Sequence, residues 1–189
     1  MKTPDFYSFK SFTSLTEAEI QLIWEWRNHI EIRKWMYNDH IIPIENHIQF
    51  IDGLKNNTAK QYWLVQRRNI GVGVMSVVDI KEKNGEWGYY IAPKFHEKSL
   101  GVEFYYYSLE YLFRMTEMEC LYGYALVKNI AANSLNDLFG FDKELVVKEI
   151  DGIAYDFYFR NLTKEKFLDK IQNDSKILKL LDFTYSKNI

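Results

Sequence analysis

The sequence contains a single cysteine and no long apolar run, and each of these shortages excludes a class of protein. Its single cysteine, Cys120, has no partner for an internal disulfide or for a cluster of metal-binding thiolates. No run approaches the roughly 20 apolar residues that a membrane-spanning helix needs. Residues 1–6 also lack the apolar core of a secretory signal. We therefore expect a cytoplasmic protein with no membrane partner.

The sequence also lacks a strong excess of either charge, since its formal net charge is -2. Affinity for nucleic acid comes mainly from clustered lysine and arginine, so no nucleic-acid partner is predicted. The histidines and carboxylates show no paired ligand spacing on one helix, so no metal site is expected. What the chain does have is a hydrophobic share of 47% and an aromatic share of 17%, which predicts a well-packed folded domain.

Hydrophobic periodicity and turn residues predict an α+β protein with the element order β-α-α-α-β-β-β-α-β-α-β. Strands are expected near residues 62–66, 72–80 and 86–91. Their connections are too short for helical crossovers, so these three strands are predicted to be antiparallel. Residues 1–163 are expected to form one domain, and residues 164–189 a helical tail that packs on it or on a partner.

Capping and turn residues place the other elements. Thr16 and Glu19 form a capping-box pattern at the start of the first helix. The remaining predicted elements are a strand at 6–12, helices at 31–37, 43–56, 102–116 and 131–139, and strands at 121–127 and 153–160, the last one after an Asp151-Gly152 turn.

Cations and imidazoles alternate with large aromatic residues in the segment 26–50. The segment contains Trp26-Arg27-Asn28-His29, Trp35-Met36-Tyr37 and His47-Ile48-Gln49-Phe50. A ligand pocket is mostly apolar with a few convergent polar groups, whereas a core tolerates few polar atoms. The pattern therefore indicates a site for a polar molecule. The alternative is a set of helix faces with the aromatic residues in the core and the polar residues at the surface.

A strand, loop and long helix at residues 86–116, followed by the run from Asn129 to Gly140-Phe141, resemble the GNAT superfamily of acyl-CoA-dependent N-acetyltransferases. The resemblance covers nearly the whole chain. It implies a three-layer α+β fold, in which a central mixed, mostly antiparallel sheet is flanked by helices. It also implies that acetyl-CoA is the cofactor.

The same resemblance implies where the cofactor binds. In the family, backbone amides of the loop before the long helix bind the CoA pyrophosphate, as an exposed helix N-terminus can do for an anion. The usual loop is Gln or Arg, two residues, Gly, one residue, then Gly or Ala. Here Gly101 matches, whereas Ser99 replaces a glycine and His96 replaces the cation. The implied cofactor-binding residues are Ile91, Lys98, Ser99, Leu100, Gly101, Val102 and Asn129, the last one for the pantetheine arm.

The N-terminal block, together with Trp87-Gly88-Tyr89-Tyr90, is similar to the acetyltransferases of pseudaminic acid biosynthesis, which acetylate the 4-amino group of a UDP-linked amino-dideoxy sugar. Such a substrate has a diphosphate for Arg27 and a uracil or methyl face for Tyr37 and Phe50. Its hydroxyls and amide suit Asn28 and His47. The implied substrate-binding residues are Arg27, Asn28, Met36, Tyr37, His47, Phe50, Ser76 and Tyr90.

Three positions are predicted to be catalytic: His47, Tyr90 and Asn136. His47, directly or through water, is the candidate base for direct attack by the neutral amine. A backbone amide from the strand containing Tyr90 would stabilise the charge that develops on the thioester oxygen. Asn136 stands where many family members carry a tyrosine that protonates the departing thiolate, a step that an amide cannot perform.

Two alternatives stay open at this point. The chain could acetylate another amine, such as a protein N-terminus, a polyamine or an antibiotic. The altered loop and Asn136 are also consistent with a retired member of the family that binds a ligand or a partner protein without turnover. A homodimer is a further expectation, with the C-terminal tail as a candidate contact.

Overall fold

A computed structural model describes residues 6–96 and 100–186 of the chain. Its seven strands are β1 (Tyr7–Ser11), β2 (Lys60–Arg67), β3 (Ile70–Lys81), β4 (Asn84–Ile91), β5 (Cys120–Leu126), β6 (Asp142–Ile150) and β7 (Ile153–Thr163). The α-helices in the described residues are α1 (Glu17–Asn28), α2 (Ile30–Arg33), α3 (Ile44–Gly53), α4 (Gly101–Met115), α5 (Ile130–Phe139), α6 (Lys164–Asn173) and α7 (Ser175–Ser186). None of them is long and apolar enough to cross a membrane.

The N-terminal unit comprises residues 6–81 and 87–96. Strands β1, β2 and β3 are antiparallel neighbours, and Val65, Met75 and Val77 are fully buried in them. The capping box of α1 forms as predicted, since the Glu19 amide donates to the Thr16 hydroxyl and the Glu19 carboxylate accepts from the Thr16 amide. This unit contains every predicted substrate-binding residue.

The C-terminal unit comprises residues 82–86 and the described residues from 100 onward. The start of β4 pairs in parallel with β5, from Asn84 opposite Cys120 to Glu86 opposite Tyr122. Strand β5 is antiparallel to β7, and β7 is antiparallel to β6. The parallel pair within an otherwise antiparallel set makes the sheet mixed, as predicted.

Helix α4 is the most buried helix of the C-terminal unit, and the tail helices pack on it. The ring of Phe167 on α6 is fully buried and lies 5.3 Å from that of Phe113 on α4. Ile177 and Leu181 of α7 are also buried. The predicted helical tail therefore forms and joins the core of this unit, whereas the domain boundary after residue 163 stays a prediction.

Two elements differ from the sequence-based expectation. Helix α2 ends at Arg33 instead of continuing to Tyr37, because the amides of Trp35 and Met36 bond to carbonyls three residues earlier and tighten the chain into turns. Strand β6 was not predicted. It lies between the fifth predicted helix and the Asp151-Gly152 turn, where charged residues at both ends weaken the strand pattern.

Candidate active site

Arg27 places a half-buried cation in the N-terminal unit, at the last turn of α1. Its Nη2 donates a hydrogen bond to the backbone oxygen of Asn38 at 2.9 Å. Its Nη1 is buried and has no hydrogen-bond partner among the described residues. Burial lowers the pKa of Arg27, and interactions with Tyr90 and Tyr62 act in the opposite direction. Because a guanidinium stays protonated in proteins, Arg27 offers a charged donor to an anionic ligand.

His47, on α3, provides a second polar atom without a partner. The side chain is 5% exposed, and its Nε2 accepts or donates no hydrogen bond in the part of the chain that the structure describes. Burial lowers the pKa of His47, and the positive charge of Arg27 lowers it further. The imidazole is therefore neutral at pH 7, and its unprotonated nitrogen can accept a hydrogen bond or a proton.

Aromatic residues of the same unit supply apolar faces and a hydroxyl. The rings of Phe50 and Tyr62 pack edge to face with centroids 5.1 Å apart. Phe50 and Tyr37 are exposed, so both can be reached by a ligand. Burial raises the pKa of Tyr90, which keeps this hydroxyl protonated. Arg27, Tyr90 and Tyr62 interact electrostatically, so the structure brings the predicted cation and the predicted strand residue together.

Asn28 holds the loop that follows α2. Its Nδ2 donates to the carbonyl oxygen of Ile42 at 3.0 Å, and its Oδ1 accepts from the Ile42 amide at 2.8 Å. Trp24 Nε1 donates to the same carbonyl at 2.7 Å, and Arg33 Nη1 donates to the backbone oxygen of Asp39 at 2.8 Å. The sequence analysis did not identify Trp24 and Arg33; the four-residue spacing of Trp24 and Asn28 on one helix was the available signal. Contact of Asn28 with substrate stays a prediction.

Three further residues singled out by the sequence are Ser76 on β3, His96 after β4 and Met36 after α2. Ser76 Oγ donates to the carbonyl oxygen of Gly88 at 3.4 Å. His96 Nε2 donates to the carbonyl oxygen of Ile91 at 2.8 Å and so holds the end of β4. Met36 is half-buried in the turn after α2. His96 therefore serves the backbone at the loop position where the family usually carries Gln or Arg.

In the C-terminal unit, the first turn of α4 provides the predicted anion-binding amides. Lys98 and Ser99 lie outside the described residues. Leu100 is buried at the N-cap and accepts a hydrogen bond from the Phe104 amide through its carbonyl. The amides of Gly101 and Val102 have no intrahelical acceptor, as at any helix start, and Gly101 carries no side chain to cover them. Binding of the CoA pyrophosphate by these amides stays a prediction.

Asn129 and Asn136 have different local roles in α5. Asn129 is the N-cap, and its Oδ1 accepts from the Ala132 amide at 3.2 Å. Gly140 ends the helix in the left-handed conformation with φ of 81°. Asn136 is buried, and its Oδ1 accepts a hydrogen bond from the Tyr105 hydroxyl at 2.6 Å. In this structure Asn136 is thus part of the packed core, and a catalytic role for it stays a prediction.

The comparison with known proteins decides the family. A model of the acetyltransferase (GNAT) domain matches residues 11–142. The chain belongs to the GNAT acetyltransferase family. Two acetyltransferases named PseH, from two strains of Campylobacter jejuni, are 32% and 33% identical to it over 126 residues, which are 67% of this chain and 78% of each relative.

Solved structures of two N-acetyltransferases share the fold. The C. jejuni N-acetyltransferase PseH in complex with acetyl coenzyme A superposes with a TM-score of 0.64 at 27% identity, covering 83% of this chain and 98% of that one. The spermidine N-acetyltransferase of Vibrio cholerae, in complex with CoA and spermine, gives a TM-score of 0.76 at 18% identity, covering 86% and 98%. The second likeness shows the fold alone.

These matches confirm three predictions. The fold is the GNAT-like mixed sheet flanked by helices, the protein is an N-acetyltransferase, and its cofactor is acetyl-CoA. The matches do not test individual site residues.

Burial raises the pKa of the half-buried Cys120 thiol, which disfavours the nucleophilic thiolate. No group of three metal-ligating side chains occurs within residues 6–96 and 100–186.

Proposed function

We propose that this GNAT enzyme acetylates the 4-amino group of a UDP-linked amino-dideoxy sugar, in the synthesis of pseudaminic acid or a related nonulosonate. The named relatives support the pathway. The observation that carries the substrate class is the buried Nη1 of Arg27, which lacks a hydrogen-bond partner in the described chain. His47 Nε2 lacks one as well, and the charge of Arg27 helps to lower the pKa of this histidine. A charged donor and a neutral imidazole suit a ligand that has both a diphosphate and hydrogen-bonding groups.

Different residues of the N-terminal unit bind different parts of the substrate. Arg27 Nη1 binds a diphosphate oxygen, since a guanidinium matches phosphate geometry. The exposed rings of Tyr37 and Phe50 stack on uracil or contact the sugar methyl group. Met36 packs against the sugar, and Ser76 and Tyr90 contact it. Asn28 acts by fixing the loop at Ile42, and its side chain keeps one Nδ2 hydrogen for a ligand.

Acetyl-CoA supplies the thioester carbonyl that the amine attacks and the thiolate that leaves as the new C–N bond forms. His47 takes the amine proton, directly or through water, because its pKa is low enough to leave the imidazole neutral. A backbone amide near Tyr90 and Ile91 stabilises the charge on the carbonyl oxygen. Amides of Gly101 and Val102 bind the pyrophosphate, and Asn129 binds the pantetheine arm.

Comparing acceptors tests this proposal. Purified enzyme with acetyl-CoA is supplied with the UDP-4-amino sugar, the same amino sugar without UDP, spermidine, or a peptide with a free N-terminus. Strong preference for the UDP sugar is expected. Equal or higher kcat/KM with spermidine or the peptide would contradict the sugar assignment and leave the family assignment intact.

An Arg27 variant sharpens the comparison. Arg27→Ala should raise KM for the UDP sugar about 10- to 100-fold, the size of a lost hydrogen bond to a charged group. KM for acetyl-CoA should stay unchanged. The matched control is Arg33→Ala, which removes a cation of the same region that is bonded to the Asp39 backbone. The cytoplasmic location and the absence of a nucleic-acid partner remain predictions.

A further inference from the structure

Arg160, on β7, is a buried cation that the sequence analysis did not identify. Its side chain is 2% exposed. Its Nη1 donates to Asp137 Oδ1 at 2.6 Å, and its Nη2 donates to Asn133 Oδ1 at 2.9 Å. Both acceptors belong to α5 and lie on one face of it, since they are one helical turn apart. Because hydrogen bonds from a charged donor are short and strong, Arg160 fixes the orientation of the Asn133 side chain.

Stability alone does not account for this buried charge. Arg160 Nε is buried and has no hydrogen-bond partner among the described residues, and the Asp137 side chain is 55% exposed. Replacing a buried ion pair by apolar side chains is often neutral or stabilising. The guanidinium is better explained by what it does to Asn133.

Asn133 connects this cation to the backbone between β5 and α5. Its Nδ2 lies 2.9 Å from the carbonyl oxygens of Leu126 and Asn129, and 3.3 Å from that of Val127. An asparagine amide has an acceptor oxygen and a donor nitrogen, so the bond from Arg160 to the oxygen turns the nitrogen toward these carbonyls. The amide thus ties the last residue of β5 to the residue that caps α5.

The connection ends at Asn129, the residue proposed to bind the pantetheine arm. Asn129 Oδ1 accepts from the Ala132 amide, whereas its Nδ2 donates no hydrogen bond within residues 6–96 and 100–186. Asn129 is half-buried, so a ligand can reach this nitrogen. The position of the side chain depends on the backbone from Leu126 to Asn129, and Asn133 holds that backbone at both ends.

We propose that Asn133 and Arg160 are positioning residues for acetyl-CoA. Arg160 orients the Asn133 amide, and Asn133 holds the connection so that Asn129 meets the pantetheine arm. Both residues act through Asn129 and not by contact with the cofactor. The inference rests on the proposed role of Asn129, and it is independent of the acceptor because acetyl-CoA binding is measured without the sugar.

Calorimetry with two ligands tests the selectivity. Asn133→Leu removes the bonds to all three carbonyls and should raise the Kd of acetyl-CoA about tenfold, the size of one lost hydrogen bond. The Kd of 3′-phospho-ADP, the part of coenzyme A without the pantetheine arm, should stay unchanged. Phe167→Ala, a core change of the same unit outside this network, is the control and should change neither Kd while the protein is folded. A role in stability alone would move both Kd values or neither.

A double-mutant cycle tests whether Arg160 acts through Asn133. Arg160→Met replaces the cation by an unbranched apolar side chain and should also raise the Kd of acetyl-CoA. In the Asn133→Leu background the same change should have no further effect, since the amide that Arg160 orients is already gone. The double variant leaves no unpaired buried charge, so its two Kd values test the proposal even where a single variant fails to fold.

Asn129→Ala separates the inference from the role on which it rests. We expect weaker acetyl-CoA binding in Asn129→Ala and in Asn133→Leu, with unchanged binding of 3′-phospho-ADP. Weaker binding in Asn129→Ala alone would overturn the positioning role and leave the proposed function intact. Unchanged binding in Asn129→Ala would refute both the role of Asn129 and the inference. Additive effects of Arg160→Met and Asn133→Leu would show that Arg160 does not act through Asn133.

Discussion

Burial lowers the pKa of the His47 imidazole, and the guanidinium of Arg27 lowers it further. The two side chains thus combine a fixed positive charge with a neutral ring nitrogen, and each has a buried polar atom that no described residue satisfies. An unsatisfied buried polar group costs about 1–3 kcal/mol, so each of these atoms calls for a partner such as a ligand or a bound water. This pair is the physical basis for the proposed acceptor site.

The first prediction concerns the pH dependence of acetyl transfer. If His47 is the base, kcat/KM should fall on the acid side with a pKa below the ordinary histidine value of about 6.5. Arg27→Gln removes the positive charge and should move this acid limb to higher pH, whereas Arg27→Lys should leave it close to the wild-type position. Initial rates across pH for the three proteins decide the matter, and identical limbs would argue against His47 as the base.

The second prediction concerns stability. Because the folded-state pKa of His47 lies below its unfolded value, the unfolded chain binds more protons in this window. The contribution of His47 is therefore complete above about pH 6.5 and is lost as pH falls toward the folded-state pKa. His47→Gln should reduce the difference between the free energies of unfolding at pH 7 and at pH 5. His40→Gln, which removes an exposed histidine, is the matched control.

The third prediction concerns Asn28. Asn28→Ala removes both hydrogen bonds to the Ile42 backbone and should lower the free energy of unfolding by about 1–3 kcal/mol. Hydrogen exchange at the Ile42 amide should accelerate, because the side chain is its acceptor. Gln21→Ala, on the exposed side of the same helix, is the control. Unchanged exchange at Ile42 would show that Asn28 does not hold this loop.

The fourth prediction concerns Tyr105 and Asn136. Tyr105→Phe leaves the buried side-chain oxygen of Asn136 without its hydrogen-bond donor. The free energy of unfolding, measured by urea denaturation, should fall by about 1–3 kcal/mol. The double variant Tyr105→Phe with Asn136→Leu should recover part of that loss. Turnover per folded molecule should stay unchanged in Tyr105→Phe. A fall in kcat without a loss of stability would instead assign this hydroxyl to the chemistry.

The fifth prediction concerns the C-terminal tail. Phe167→Ala should lower the free energy of unfolding by about 3–5 kcal/mol, because this ring is fully buried against Phe113 and Tyr106. Gln172→Ala, at an exposed position of the same helix, should have little effect. A silent Phe167→Ala would show that α6 is a detachable element and would favour the tail as a docking segment.

Local signals predicted much of the fold. The Thr16 capping box and the end of the fifth predicted helix before Gly140 depend on neighbouring residues, so sequence alone indicated them. Strand β6 was not predicted because charged residues flank its short apolar run. A charged strand is stable at the edge of a sheet, and that edge position follows from the whole sheet and not from the local sequence.

For the candidate site, too, the sequence indicates residue types and the structure supplies their contacts. The sequence identified Arg27 and His47 by residue type, but only the structure reveals which of their nitrogens lack partners. The sequence also could not show that the side-chain amide of Asn28 bonds to the Ile42 backbone. Nor could it show that the Asn136 side chain accepts a hydrogen bond from the Tyr105 hydroxyl. These contacts join residues that are distant in the chain.

Release of CoA thiol tests the central claim most directly. The purified enzyme is given acetyl-CoA with the UDP-4-amino sugar, and the corresponding UDP-4-hydroxy sugar serves as the control. We predict thiol release that depends on the amine, with one acetamido product per thiol. No release with the amine, although acetyl-CoA binds in calorimetry, would contradict the proposed acceptor.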